Sequence, residues 1–280
     1  MSDTEAPGIP AEGEVPHIGD IETDLSGFDL PDDIVGIDEY TENITMLLYG
    51  PPGIGKTRLA GTARSLILAV EKGTVSAKKT AGPGAKVWPC PAWPNFERAY
   101  EWLKANAAKP GFPFDWVVID TGTQLQLDIR KDIVAERVEL KGGSVDKVQL
   151  EEYGEDQMRL MRFVTLVNDL PVNVLWTAHE MMGTTPEGEE LRLPQFHGKK
   201  GLVANWVAAQ MHCVGYMHFA DVNFTSGIKR ARVIQWNGTE NIVAKDRFDC
   251  LGGRNGITVG KNLQQLTDMI LAANAVETDK

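Results

Sequence analysis

Cysteine is scarce. Cys90, Cys213 and Cys250 are the three in 280 residues, widely spaced and in no CxxC pair, which excludes a disulfide framework and a cysteine-based zinc site and fits a reducing compartment. They read as packing residues. Long hydrophobic runs are also missing: no stretch approaches the roughly 18 apolar residues that span a bilayer, and no basic segment leads into a hydrophobic one at the N-terminus. The expectation is a cytoplasmic protein with no membrane partner. No unit of about 20 to 50 residues repeats, which excludes a solenoid. Lysine and arginine are absent from residues 1–40, which hold twelve Asp and Glu.

That last absence changes how the charge is read. The chain has 39 acidic and 28 basic side chains and a formal charge of -11, a balance that by itself argues against nucleic acid as a partner. Residues 41–280, however, carry 28 basic against the remaining 27 acidic side chains, a net of +1. The composition, 42% hydrophobic and 24% charged, is that of a chain with a sizeable core. Two parts are expected: an acidic, largely disordered arm over residues 1–40, poor in apolar residues up to about residue 24, and a folded domain over residues 41–280. Between Ile21 and Ile37 the apolar residues Leu25, Phe28, Leu30, Ile34 and Val35 thicken. This half of the arm either docks on a neighbouring surface or is a solvated leader.

Beyond Glu42, short continuous apolar runs alternate with helical stretches. ITMLLY from Ile44, LILAV from Leu66, WVVI from Trp116 and VNVLWT from Val172 read as strands buried on both faces of a parallel sheet. Helices are expected over Lys56–Ala63, Asn95–Ala107, Thr123–Val138, Glu155–Asp169 and Asn262–Ala273. After Leu202, the segments MHCVGYMHF, RVIQW and NIVAK suggest antiparallel strands extending that sheet. The fold class is α/β, a mostly parallel central sheet flanked by helices, with antiparallel strands added at the C-terminal side.

The strongest motif is GPPGIGKT, comprising Gly50, Pro51, Pro52, Gly53, Ile54, Gly55, Lys56 and Thr57. It follows an apolar strand and opens a helix, the context that GxxxxGK[ST] requires. Glycines let backbone N–H groups turn inward around a phosphate. Lys56 would reach the β and γ phosphates of ATP, and the Thr57 hydroxyl would be a Mg²⁺ ligand. The matching carboxylate is Asp120, at the end of WVVID, where it would sit at the C-terminal edge of a central strand and serve the same ion. Hydrolysis also needs a group that orients or deprotonates water. Glu71, just past LILAV, and His179, past VNVLWT, are delivered to the same sheet edge. The other reading of each is a surface Glu at a strand end and a structural His.

Together these residues resemble the RecA-like recombination ATPases, in particular the phage-encoded single-strand-annealing, RecA-like AAA ATPases, over about Ile44 to Leu251. The resemblance implies a RecA-like P-loop core in which Glu71 of LAVEKG is the catalytic base and His179 of TAHE is the γ-phosphate sensor, where RecA has Gln. It also implies that Lys245 and Arg247 of the AKDR segment project into a neighbouring subunit's nucleotide like arginine fingers. Alternate strand residues share a face, as that role requires; a basic edge strand that blocks aggregation is the other reading. The implied activity is Mg²⁺-dependent ATP hydrolysis in DNA recombination or repair. The implied assembly is a ring, a hexamer by analogy, or a filament, on single-stranded or branched DNA.

DNA contacts are expected from position. Candidates are Lys141 beside Gly142 and Gly143, the loop from Met181 to Lys200 with Lys199 and Lys200, and the basic group Lys229, Arg230 and Arg232 at a hairpin. Each also reads as a solvated surface. The acidic arm would either cover the basic DNA surface or recruit a basic partner such as a single-strand-binding protein. A ring helicase, a branch-migration motor and a nucleotide-gated clamp with little hydrolysis remain the alternative functions.

Overall fold

The computed structural model describes residues 42–82, 84–185, 187–253 and 256–277. The acidic arm expected over residues 1–40 lies outside them. Among the described residues no helix is long and apolar enough to cross a membrane.

In chain order the elements are β1 (Thr45–Tyr49), α1 (Lys56–Ala60), β2 (Ser65–Ala69), a 3₁₀ segment (Lys72–Lys79), β3 (Lys86–Pro89), α2 (Trp93–Asn106), β4 (Trp116–Asp120), α3 (Gly122–Lys141), α4 (Leu150–Asn168), β5 (Asn173–Ala178), β6 (Glu180–Thr184), β7 (Glu190–Pro194), a 3₁₀ turn (Lys199–Gly201), α5 (Leu202–Ala209), β8 (Cys213–Phe224), β9 (Gly227–Gln235), β10 (Lys245–Asp246), β11 (Ile257–Val259) and α6 (Leu263–Glu277). The main sheet has the order β11-β9-β8-β1-β5-β4-β2-β3, with β10 paired to β8. β3, β2, β4, β5, β1 and β8 run parallel across it, and β9, β10 and β11 pair antiparallel.

The apolar runs form strands because both of their faces are covered. Leu47, Tyr49, Leu66, Leu68, Val117, Ile119, Val174 and Trp176 feed one core with residues of α2 to α5, and Met46, Leu48, Ile67, Val118 and Leu175 feed a second with α1 and α6. Alternate residues point to opposite faces, so an unbroken apolar run supplies both layers.

β8, expected among the antiparallel strands, runs parallel to β1 and antiparallel only to β9 and β10. Three further differences from the expected elements each have a local cause. The helix after the phosphate loop ends at Ala60, where Gly61 caps it and Ser65 Oγ donates to the Ala60 carbonyl (2.7 Å). The segment NIVAK contributes only Lys245 to β10, because β9 already occupies β8 from Tyr216 to Phe224 and β10 takes Cys213 and Val214. The stretch from Met181 to Lys200, expected as an open loop, is the antiparallel hairpin β6–β7 followed by a 3₁₀ turn. Leu193 and Phe196, both buried, hold it against the helical layer.

Candidate functional site

The C-terminal ends of β1, β4 and β5 meet at one edge of the sheet. β5 lies between β1 and β4, with Tyr49 level with Ala178 and Ile119 level with Trp176. The residues that follow these strands therefore converge, and Glu71 joins them from beyond β2, whose Ala69 is level with Asp120.

Lys56 is buried, and its Nζ donates to the carbonyls of Gly50 (2.8 Å) and Pro51 (3.1 Å). The ammonium thus sits inside its own loop. Burial pushes its pKa down to about 8, opposed by the charges of Asp120, Glu71 and Glu180. Thr57 Oγ1 donates to Asp120 Oδ2 (2.8 Å), and Thr177 Oγ1 donates to Asp120 Oδ1 (2.6 Å). Burial raises the Asp120 pKa, and these two hydroxyls pull it back. A hydroxyl beside a carboxylate is an oxygen-only donor pair, the kind that suits Mg²⁺ with substrate phosphates. Thr57 and Asp120 would hold that ion, which when bound neutralises charge on phosphate oxygens.

Glu71 and His179 form one unit. Oε1 of Glu71 accepts from Thr121 Oγ1 (2.7 Å) and lies 3.1 Å from His179 Nε2. The contact with His179 is the main reason the Glu71 pKa falls below the ordinary carboxylate value, with Thr121 and Lys56 adding to it against burial. Glu71 is therefore a carboxylate at neutral pH, with the chemistry of a proton acceptor. The Thr121 hydroxyl also accepts from Gln124 N (3.2 Å) and so caps α3 while it orients Glu71. His179 Nδ1 is buried with no partner among the described residues. Its backbone N–H donates to Thr123 Oγ1 (3.0 Å), and its carbonyl accepts from Gln195 N (2.8 Å). The residue thus joins the phosphate edge to α3 and to the chain beyond β7.

A family model described as an AAA domain matches residues 42–248. The chain belongs to that family. No curated protein matches it. The AAA domain is a P-loop ATPase, and its matched span contains the loop, Asp120, Glu71, His179 and the segment carrying Lys245 and Arg247.

Lys245 and Arg247 do share a face. Lys245 Nζ (3.0 Å) and Arg247 Nη2 (3.3 Å) both donate to the carbonyl of Ala209, at the end of α5. They lie away from the chain's own phosphate loop, since Asp246 between them is level with Cys213 and hence with Met46. The Arg247 backbone N–H donates to the carbonyl of His212 (3.2 Å), whose own N–H donates to that of Thr45 at the start of β1 (2.9 Å). Burial and Arg247 lower the Lys245 pKa to about 8. Asp246 between them accepts from the backbone N–H groups of Phe248 (3.0 Å), Cys250 (2.9 Å) and Leu251 (2.7 Å), which fixes the turn that presents the pair.

The basic candidates for DNA are dispersed. Lys199 and Lys200 are exposed on the 3₁₀ turn, and Lys141 is exposed at the end of α3. At 1.5 Å per residue that end lies about 28 Å along the helix axis from the phosphate edge. Lys229 and Arg230 are exposed on β9, in the hairpin with β8. Arg232, grouped with them in the sequence, turns instead toward the phosphate loop, where a Cβ on Gly55 would lie 3.0 Å from its Cζ.

Sequence reasoning missed Thr177 and the role of Arg232. Alternation along β5 offered a signal for Thr177, two residues before His179. Arg232 had none, because its position depends on the pairing of Arg232 with Phe219 across the β8–β9 hairpin.

Proposed function

We propose that this AAA-domain ATPase is a Mg²⁺-dependent DNA recombination or repair protein that assembles into a ring or filament and acts on single-stranded or branched DNA. The observation that carries the ATPase chemistry is the convergence of Lys56, Thr57, Asp120, Glu71 and His179 on one sheet edge. Lys56 exchanges its loop carbonyls for the nucleotide's phosphates, Glu71 takes the proton of the attacking water, and His179 relays the state of the site to the segment beyond β7. Support for assembly comes from Lys245 and Arg247, a basic pair built on a fixed turn away from the chain's own loop and thus available to a neighbour's nucleotide. Support for DNA is two exposed basic pairs, Lys199 with Lys200 and Lys229 with Arg230, on a body that carries no net negative charge. A clamp with little hydrolysis is separated from this reading by measuring Mg²⁺-dependent ATP hydrolysis with and without single-stranded DNA, alongside light scattering, and a ring helicase or branch-migration motor by an assay for directional unwinding. DNA-stimulated turnover in a multimer is expected. A monomer with DNA-indifferent turnover sinks the proposal.

Lys56→Ala is expected to abolish turnover. Because the free Lys56 titrates near pH 8 and bound phosphate favours its charged form, wild-type nucleotide affinity should fall as pH rises above about 8. The fall stops once the pH passes the higher pKa of the bound state. Titration calorimetry between pH 6.5 and 9.5 checks this, and a flat profile would contradict the assignment.

Arg247→Ala is expected to lose turnover by roughly a thousandfold or more while sparing ATP binding, the range seen for arginine fingers. Mixing it with Lys56→Ala subunits should restore part of the activity, because each supplies what the other lacks. Undiminished turnover in the single variant would remove the intersubunit role.

A further inference from the structure

Beside the phosphate loop lies a cavity of about 190 Å³ whose walls include Gly55, Arg58, Thr62, Arg232, Thr258 and Asn262. Arg232 enters it from β9. Its guanidinium packs so close to Gly55 that a Cβ there would lie 3.0 Å from Cζ, 3.1 Å from Nη1 and 3.2 Å from Nε. Gly55 has φ +108°, so the backbone requires glycine there, and the guanidinium occupies the space that a side chain would take. The Phe219 ring, its cross-strand partner, has its centroid 6.0 Å from the guanidinium carbon and backs it.

The chemistry of this arginine is incomplete. Its Nε is buried with no hydrogen-bond partner among the described residues, a costly state for a guanidinium donor. The charged neighbour that acts on it is Arg58, another cation, and with burial it lowers the Arg232 pKa. Two arginines flank a cavity at the loop built to hold a polyphosphate, and one has a donor waiting for an acceptor. An anion resolves both the repulsion and the unmet donor.

We propose that Arg232 is a nucleotide ligand supplied by the same chain from the β8–β9 hairpin, holding the polyphosphate over Gly55. The assignment rests on the ATP-binding reading above and adds to it a contact remote from the water-activating pair. Arg232 keeps company with Gly55 and Arg58, whereas Glu71 and His179 mark the end where the γ phosphate is cleaved. ADP and ATP should therefore depend on it to a similar degree. It is distinct from Arg247, which acts between subunits.

The test compares wild type, Arg232→Ala and Arg232→Lys as full chains, by titration calorimetry with ADP and Mg²⁺ and by thermal melting without nucleotide. Losing one charge-assisted contact should weaken ADP binding by about tenfold to a hundredfold in Arg232→Ala. Arg232→Lys should keep part of the affinity through its charge and lose the planar fork. The nucleotide-free melting temperature of Arg232→Ala should equal or exceed that of wild type, since a buried donor without a partner has been removed from beside a second cation. If wild type binds ADP and both variants bind it equally well, the Arg232 assignment falls alone. A lowered nucleotide-free melting temperature in Arg232→Ala would give the residue a packing role and overturn the proposal. Wild type that binds neither ADP nor ATP would remove the ATP reading and this inference with it.

Discussion

Glu71→Gln should reduce ATP turnover by roughly a hundredfold to ten-thousandfold, the usual worth of a general base, and leave ATP binding close to wild type. The amide keeps the size of the carboxylate and can still accept from Thr121, so the loss isolates proton acceptance. The pH profile carries a second expectation. His179 is the main cause of the depressed Glu71 pKa, so the base is lost to protonation only below the ordinary carboxylate range. In His179→Ala the Glu71 pKa rises, and the acid limb of kcat should move to higher pH. Steady-state kinetics across the acid range measure this shift. If Glu71→Gln hydrolyses ATP at the wild-type rate, another group activates the water and the role assigned to Glu71 is wrong.

Gly50→Ala should collapse the phosphate site even though it adds a single methyl group. A Cβ at Gly50 would lie 2.2 Å from the carbonyl oxygen of Met217 on β8, and Gly50 has φ +154°. Neither the clash nor the backbone conformation can be relieved by turning a side chain, because the obstacle is the main chain of the adjacent strand. Overpacking of this kind costs about 1 to 3 kcal/mol, or roughly 2 to 12 °C in Tm for a domain of this size. Nucleotide binding should fail as well, since displacing the main chain at residue 50 moves the carbonyl that positions Lys56. Gly53→Ala is the contrast: its Cβ would have nothing within 4 Å, leaving only the strain of φ +76°. Thermal melting and ADP titration of both variants decide the matter. Equal behaviour of the two would show that the contact with β8 is not what Gly50 serves.

β1, β2, β4 and β5 were legible because each is an unbroken apolar run, the pattern of a strand covered on both faces. β3, a mostly exposed edge strand, has no such run, and β8, expected among the antiparallel strands, runs parallel to β1 and antiparallel to β9. The hairpin β6–β7 was not legible: Met181, Leu191 and Leu193 alternate weakly among Glu, Arg and Gly, and the pairing is supported by contacts with distant helices. NIVAK read as a strand because its composition is apolar and β-branched. Whether it pairs depends on how much of β8 the preceding strand leaves open, which composition does not carry.

The residues alone determined the phosphate loop, the carboxylate Asp120 and the α/β class, since each depends on neighbours in the chain: a strand, a glycine turn, a helix start, an acid at a strand end. The tertiary structure decided how those parts meet. Strand order inserts β5 between β1 and β4, which brings Thr177 onto Asp120 and His179 onto Glu71. Hairpin register turns Arg232 toward Gly55 while Lys229 and Arg230 stay exposed. The short β10 places Lys245 and Arg247 away from the loop. Sheet order and register are set by packing between segments far apart in the chain, and no local pattern encodes which segments those will be.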